Sequence, residues 1–346
     1  MPSTLWHMAL QFADMNTFNT KVLVTGAAGF IGSHLTEQLV RAGYAVRAMT
    51  RYTSAADKRG NLADLPADVL DHVELYSADL RDAEAVSKAA AGCAVIFHLG
   101  AIISIPYSYQ HPEETLAVNI NGTLNVLQAM RQHGTQRGVI VSTSEVYGTA
   151  QYVPIDERHP LQAQSPYAAS KIAAEAISLS FQRTYGTPIV VVRPFNTYGE
   201  RQSARAVIPT IIAQALTRDV VQLGAIHTYR DYTHAVDTAR GLMRAAFGTE
   251  AAIGQVFNLG TGESHTIGEI AEMIISLIGR PVTVQANTSE RLRPEKSEVL
   301  RLQSNNSQAR NVLNWQPEIS LEDGLTRTIA WIQAHLERFQ PDQYQV

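Results

Sequence analysis

Residues 21–43 read KVLVTGAAGFIGSHLTEQLVRAG, and this stretch decides the fold. KVLVT is a β-branched run of strand length. Gly26, Gly29 and Gly32 follow at once, and FIGSHLTEQLVRAG then carries apolar residues at helical spacing up to a glycine stop. Glycine suits such a junction because the turn is tight and because the helix must pack close against the strand. The N–H groups of Phe30, Ile31 and Gly32, at the start of the helix, then face outward toward any anion. Alone, the pattern is also compatible with a plain strand–helix turn.

The flanking sequence favours the anion-binding reading. YAVRAMTR, HVELYSAD, AVIFHLGA and GVIVSTS are further runs of strand length, and AEAVSKAAAG and PEETLAVNINGTLNVLQAMRQHG are helical stretches between them. PIVVVRP closes the series. Near-continuous apolar strands alternating with helices predict a parallel sheet covered on both faces. The expected fold class is α/β, a Rossmann doubly wound parallel sheet over residues 21–194. After Pro194 the loops lengthen, and VVQLG, QVFNLG, PVTVQA and TIGEIAEMIISLIG stand apart. Residues 195–346 therefore read mainly as a smaller C-terminal α/β substrate-binding lobe, with no proline- or serine-rich linker at the boundary. Residues 1–20 read as an extension without the basic start and apolar block of a signal peptide.

Composition narrows the partners. Hydrophobic residues make up 45% of the chain and charged residues 17%, which suits a globular protein. A formal net charge of −4 supplies no basic field for nucleic acid. No apolar run approaches the length of a membrane span. Cys93 is the only cysteine and lies in the apolar run GCAVIFHLG, where core packing is its expected role. The expected compartment is the reducing cytoplasm, with neither nucleic acid nor membrane as a partner.

In this context the glycine turn predicts a dinucleotide, with the pyrophosphate at the helix N-terminus. The second strand commonly ends in an acid that reads the ribose of NAD. Here Thr50-Arg51-Tyr52 stands at that place, with Lys58 and Arg59 beyond. Arg51 can receive a 2′-phosphate, which favours NADP+ slightly, with NAD+ close behind if the arginine is merely solvated. Asp79, after the third strand, is placed to accept from the adenine amino group, or else to cap a helix.

Two segments carry the chemistry. STSEVYG brings Ser142, Thr143, Ser144 and Glu145 to the end of the GVIV strand, where ligands of open α/β sheets bind. SPYAASK opens a helix on which Tyr167 and Lys171 are four apart and share a face. An ammonium beside a phenol lowers the phenol's pKa, so Tyr167 is expected to become a usable base near neutrality. A YxxxK pattern alone is common on exposed helices. Joined to the glycine turn and the Ser/Thr-rich strand end, it is much more telling.

GAAGFIG, Asp79-Leu80, HLGA, Asn119, STSEVYG, YAASK and RPFNTYG together resemble the extended short-chain dehydrogenase/reductases. The resemblance implies that Thr143, Tyr167 and Lys171 form the catalytic group and that Lys171 contacts the nicotinamide ribose. It also places Leu80, Leu99, Ala101 and Asn119 along the cofactor. Gly100 replaces a common alanine and is expected to matter little. Glu145 beside the catalytic threonine suggests a proton abstraction beyond simple hydride exchange. The triplet Thr143-Ser144-Glu145 resembles those of GDP-mannose 4,6-dehydratases and also of UDP-glucuronate decarboxylases. IPYSY, TSEVYGTAQYVPIDE, QSPYAASK, RPFNTYGERQSARAVIPTII and RLRPEKSEV are similar to the 4,6-dehydratases of the legionaminic acid pathway. That group is regarded as acting on GDP-N-acetylglucosamine.

The substrate end holds separated arginines, whose planar forks suit a diphosphate. Asn196, Arg201, Arg205 and Val207 lie in FNTYGERQSARAVIPT, Arg230 heads RDYTHAVD, and Arg291 and Arg293 flank RLRP. Asn196, Arg230 and Arg293 are the preferred diphosphate or sugar contacts. His98 and His234 read as structural, and no metal site is expected. The expected activity is a nucleotide-sugar 4,6-dehydratase. Its rivals are a UDP-uronate decarboxylase or 4-epimerase on the same scaffold and, in another class, a non-catalytic NADP sensor. Helices at 112–133 and 165–185 are expected to pair with a second copy as a four-helix homodimer interface.

Overall fold

The structure, a computed structural model, describes residues 20–51, 59–286 and 299–339. Six parallel strands form where the sequence placed them: β1 (Lys21–Thr25), β2 (Ala45–Thr50), β3 (Val73–Ser77), β4 (Val95–His98), β5 (Arg137–Val141) and β6 (Ile189–Pro194). Their spatial order is β6-β5-β4-β1-β2-β3, so the winding reverses between β1 and β4. In open sheets of this kind ligands bind at such a reversal, beyond the carboxyl ends of the strands. Strand residues alternate between two cores, with Val22, Val24, Val139 and Val190 on one face and Leu23, Ile140, Ile189 and Val191 on the other.

The helices follow from their sequence signals. On the faces of the sheet lie α1 (Phe30–Arg41), the one-turn α2 (Ala67–Leu70) and α3 (Ala83–Ala90), which Asp82 caps. Next come α4 (Ile105–Gln110), α5 (Pro112–Leu116) and α6 (Gly122–His133), the last two joined by a π turn at Ala117–Asn121. The long α7 (Pro166–Tyr185) starts with Ser165 capping Ala168 N at 3.1 Å and Pro166 in its first turn, and Gly186 ends it at φ +67°.

Beyond Pro194 the chain builds the second lobe and also returns to the first. The lobe contains α8 (Val207–Thr217), with Val207 as its first residue, and the parallel pair of β8 (Val220–Leu223) with β13 (Thr283–Ala286). Its core is formed by Ile208, Ile211, Ile212, Ile270, Ile274, Leu325 and Ile329 from α8, α10 (Ile267–Ile278) and α12 (Leu321–Ala334). Two short ladders sit between the lobes: β7 (Asn196–Tyr198) with β10 (Tyr232–His234), and β9 (Tyr229–Arg230) with β12 (His265–Thr266).

One sequence expectation is corrected here. PIVVVRP does not close the sheet. β11 (Val256–Leu259), from QVFNLG, pairs in parallel with β6 as a seventh strand. α9 (Ala235–Phe247) precedes it and packs its buried Leu242 and Met243 into the core shared with Leu35 and Leu39 of α1. α11 (Ser307–Leu313) and Trp315 close the same face. Residues 235–259 and 307–315 therefore belong to the nucleotide-type core, because β6 is buried throughout and needs a partner on its open edge.

Candidate active site

The glycine turn is built for a close backbone approach. Gly26 sits at φ +71°, and a Cβ there would lie 2.8 Å from Gly100 N. A Cβ on Gly32 would lie 2.2 Å from Gly26 O, so the helix could not seat against the turn. Gly100 has a lighter constraint, since its added Cβ would mainly meet the flexible tip of Leu80 at 2.8 Å. Gly29 is exposed and caps α1 without a side chain, and no acidic residue lies in the helix's first turn. Among the described residues no side chain occupies the N–H groups of Phe30, Ile31 and Gly32. A pyrophosphate fits this cradle.

The adenine end is more engaged than the sequence suggests. Asp79 accepts from Arg81 three times, from N at 2.9 Å, Nε at 3.0 Å and Nη2 at 2.7 Å. Arg81 thereby holds the Asp79 carboxyl below the usual range. The helix cap is Asp82, one turn on, not Asp79. Arg51 is exposed at the end of β2, its Nη2 3.7 Å from Glu114 Oε1 of α5. Glu114 also accepts from the Tyr107 hydroxyl at 2.6 Å. Leu80 packs beside Gly100 and Gly122, and Leu99 and Ala101 line the partly open chain after β4. Asn119 is buried and acts through the backbone: it pairs with Ile102 N at 2.8 Å and Ile102 O at 2.9 Å and donates to Ser170 Oγ at 2.8 Å. Its side chain is thus spent on holding the post-β4 loop against α7.

The catalytic segments do meet. Thr143 leaves β5 in extended conformation and accepts from Glu145 N at 3.2 Å, capping the short 3-10 turn Ser144–Tyr147. Thr143 and the Glu145 carboxylate both stand close enough to Tyr167 to shift its phenol, Thr143 downward and Glu145 upward. Ser144 is buried in the turn, and Ser142 Oγ is shielded without a hydrogen-bond partner among the described residues. Lys171 is buried one turn after Tyr167.

The ionisation differs from the sequence expectation. Burial pushes the Tyr167 phenol up, the Thr143 hydrogen bond pulls it down, and Glu145 pushes it up again. Lys171 is not among the groups that lower it. Burial brings the Lys171 ammonium down to about 8, opposed by Glu175. Burial favours the neutral form of each group, which opposes the lowering expected from their spacing.

The substrate arginines separate. Arg201, at φ +67°, is buried, its Nη2 2.8 Å from His34 Nδ1 and 3.0 Å from Glu37 Oε2. It fastens the loop before α8 to α1, which corrects the expectation of a substrate contact. Arg205 is exposed on that loop. Arg230 is buried in β9 and donates to Tyr229 O at 2.9 Å. Asn196 opens β7 with its Oδ1 shielded and without a hydrogen-bond partner among the described residues. Arg291 and Arg293 lie outside the described residues, as does the segment after Arg51 that includes Lys58.

His98 bridges Thr25 Oγ1 at 2.8 Å and Thr123 Oγ1 at 3.0 Å, and burial, then Lys171, hold it neutral with a pKa of about 3. His234 caps α9 and lies 3.2 Å from Glu200. Cys93 is buried in the core with Ala89 and Ile96. Sequence reasoning missed Glu114 and the buried pair of Glu175 and Arg193. The second had a signal, since Arg193 is a charge inside PIVVVRP and Glu175 stands four residues after Lys171.

Known proteins are similar to this chain over most of its length. The family model of GDP-mannose 4,6 dehydratases matches residues 23–328. A dTDP-glucose 4,6-dehydratase of an Actinoplanes species is 31% identical over 322 residues, covering 91% of this chain and 98% of that one. A UDP-glucose 4-epimerase of Mycolicibacterium smegmatis is 33% identical, covering 89% of this chain and 97% of its own length. The crystal structure of a dTDP-glucose 4,6-dehydratase from Streptomyces venezuelae, with NAD bound, superposes with a TM-score of 0.83 at 29% identity, covering 93% of this chain and 99% of that one. The chain belongs to the extended short-chain dehydrogenase/reductases, in the family of NAD-dependent nucleotide-sugar epimerases and dehydratases.

Proposed function

We propose that the protein is a nucleotide-sugar 4,6-dehydratase that converts an NDP-hexose or NDP-N-acetylhexosamine to its 4-keto-6-deoxy form. One observation carries this reading: the turn that Thr143 caps at the end of β5 also carries Glu145, whose carboxylate raises the Tyr167 phenol. A hydride exchange at C4 alone has no use for that carboxylate. Bound NAD(P)+ supplies reversible hydride transfer, taken from C4 and returned at C6. The chain's own residues do the rest. Tyr167 takes the C4 hydroxyl proton, and Thr143 donates to the developing ketone oxygen. The Lys171 ammonium, charged below pH about 8, stands one turn of α7 from Tyr167 on the same face. Glu145 takes the C5 proton, made acidic by the ketone, and the C6 hydroxyl leaves as water with a proton relayed from Glu145. Glu145 then returns a solvent proton to C5. Two protons leave the sugar and two are consumed, so the net loss is one water.

Asn196, with its shielded and unpaired Oδ1, and Arg230 are the residues of this set that support contacts to the sugar or diphosphate. Arg51 supports NADP+ at the ribose, and Glu114 supplies the opposing charge that a bare ribose leaves undisturbed. A homodimer through the outward faces of α5–α6 and α7 belongs to the same proposal. The deciding experiment incubates the protein with UDP- and GDP-linked hexoses, uronates and N-acetylhexosamines and weighs the products. Loss of water supports the dehydratase. Loss of carbon dioxide assigns the decarboxylase, an isobaric product the epimerase, and no turnover the sensor.

A further inference from the structure

A charged network lies behind the catalytic residues, and the chemistry above does not use it. Glu175 follows Lys171 by one turn of α7, on the same face, and both are buried. Arg193 of β6 grips the Glu175 carboxylate with both arms, Nε to Oε1 at 2.9 Å and Nη2 to Oε2 at 2.5 Å. The third reach of the same guanidinium, Nη1, donates to the Tyr147 hydroxyl at 2.8 Å. Tyr147 ends the turn that begins at Ser144 and carries Glu145, and its hydroxyl donates to Asn258 Oδ1 of β11 at 2.6 Å. One guanidinium therefore ties the helix of Tyr167 and Lys171 to the turn of Glu145.

We infer that Glu175, locked by Arg193, is a positioning residue: the fixed counter-charge of Lys171 and the rivet that keeps α7 in register with the Glu145 turn. The inference rests on the proposed roles of Tyr167 and Lys171. Around Lys171 the titratable neighbours are Tyr167 and Glu175 on its own helix and His98 from β4, which is neutral. Around Glu175 stands Arg193, backed by Tyr147, whose phenol burial pushes up to about 12, and by Glu157. Among the described residues, Glu175 is thus the negative charge that acts on the ammonium. A bidentate Arg–carboxylate pair holds that charge in a fixed place, where a solvated acid could not. Both charges of the pair are buried, so removing one alone leaves the other uncompensated.

The test follows the Lys171 side chain by 15N resonance during pH titration, which is practical because the chain has only five lysines. In wild type the ammonium should titrate near pH 8. In Glu175→Gln it should titrate lower by roughly one pH unit, as expected for loss of a nearby opposite charge. The alkaline limb of kcat should move with it, while KM for the nucleotide sugar changes little and the rate largely recovers at pH 6.5. Glu175→Asp should restore most of the wild-type midpoint. If Glu175→Gln alone does not fold, the paired variant Glu175→Gln with Arg193→Met removes both buried charges and should show the same low Lys171 midpoint. An unchanged midpoint in a folded variant, or a rate loss equal at every pH, overturns the inference. Because the resonance is read without turnover, a wild type inactive on every nucleotide sugar would sink the dehydratase reading and leave this result standing apart.

Discussion

At the scale of single residues, Glu145 is the position on which the reaction turns. Glu145→Gln keeps size and hydrogen bonding but accepts no proton, so dehydration should fall by about 10²- to 10⁴-fold. Oxidation at C4 relies on Tyr167 and Lys171 and should survive in part. The variant should then accumulate reduced nicotinamide, seen by its absorbance, with a 4-keto sugar that keeps its C6 hydroxyl. Wild-type turnover in D₂O should place deuterium at C5. A near-normal dehydration rate in the variant would reduce Glu145 to a turn residue. Arg51 decides a second matter. If it receives a 2′-phosphate, Arg51→Ala should lose roughly 1.5–3 kcal/mol for NADP+, or one to two decades of affinity, and little for NAD+. Equal losses for the two cofactors would remove the case for NADP+.

At the scale of elements, the glycine turn and α1 separate fold from ligand. Gly32→Ala drives a Cβ against backbone 2.2 Å away, so it should destabilise the fold by about 3 kcal/mol and lower Tm by several degrees. Gly29→Ala meets only Gly26 O at 3.1 Å, so Tm should hold while dinucleotide affinity drops, because the methyl stands where the pyrophosphate approaches. Calorimetric melting and cofactor titration of the two variants distinguish these outcomes, and a matched loss in both would refute the division of labour. These elements were the legible ones. Residues 21–43 and the Ser165–Tyr185 helix announce themselves by local signals: glycine spacing, a serine cap, proline at the first turn. QVFNLG was legible as a strand but not as part of the large sheet. A short apolar run specifies extended backbone, whereas its neighbour is chosen by distant contacts, here the open edge of β6. For a similar reason Arg201 resembled a ligand-binding arginine in sequence, since its partners His34 and Glu37 are far away along the chain.

At the scale of the whole molecule, the outward face of α7 argues for assembly. Ala169, Ala176 and Ser180 are exposed and Ala173 is half-buried, at intervals that place all four on one stripe where a second helix could come close. Leu116 at the end of α5 is 39% exposed nearby in the same helical layer. Sedimentation equilibrium should find a dimer, and Ala176→Arg should yield a folded monomer. A monomeric wild type would contradict the four-helix interface. No helix among the described residues is long and apolar enough to cross a membrane.

The return of α9 and β11 to the first sheet has a consequence for how the chain is made. Synthesis is vectorial, and β6 leaves the ribosome well before its outer neighbour exists. At about 5–20 residues per second, several seconds pass in which a largely apolar strand has a bare hydrogen-bonding edge. The nascent N-terminal part is therefore sticky rather than finished, and a fragment ending at Pro194 should precipitate when expressed alone. Supplying residues 195–346 in trans should rescue little, because the rescuer must itself fold around the strand it donates. The molecule is divided into two lobes in space but forms a single cooperative unit in time.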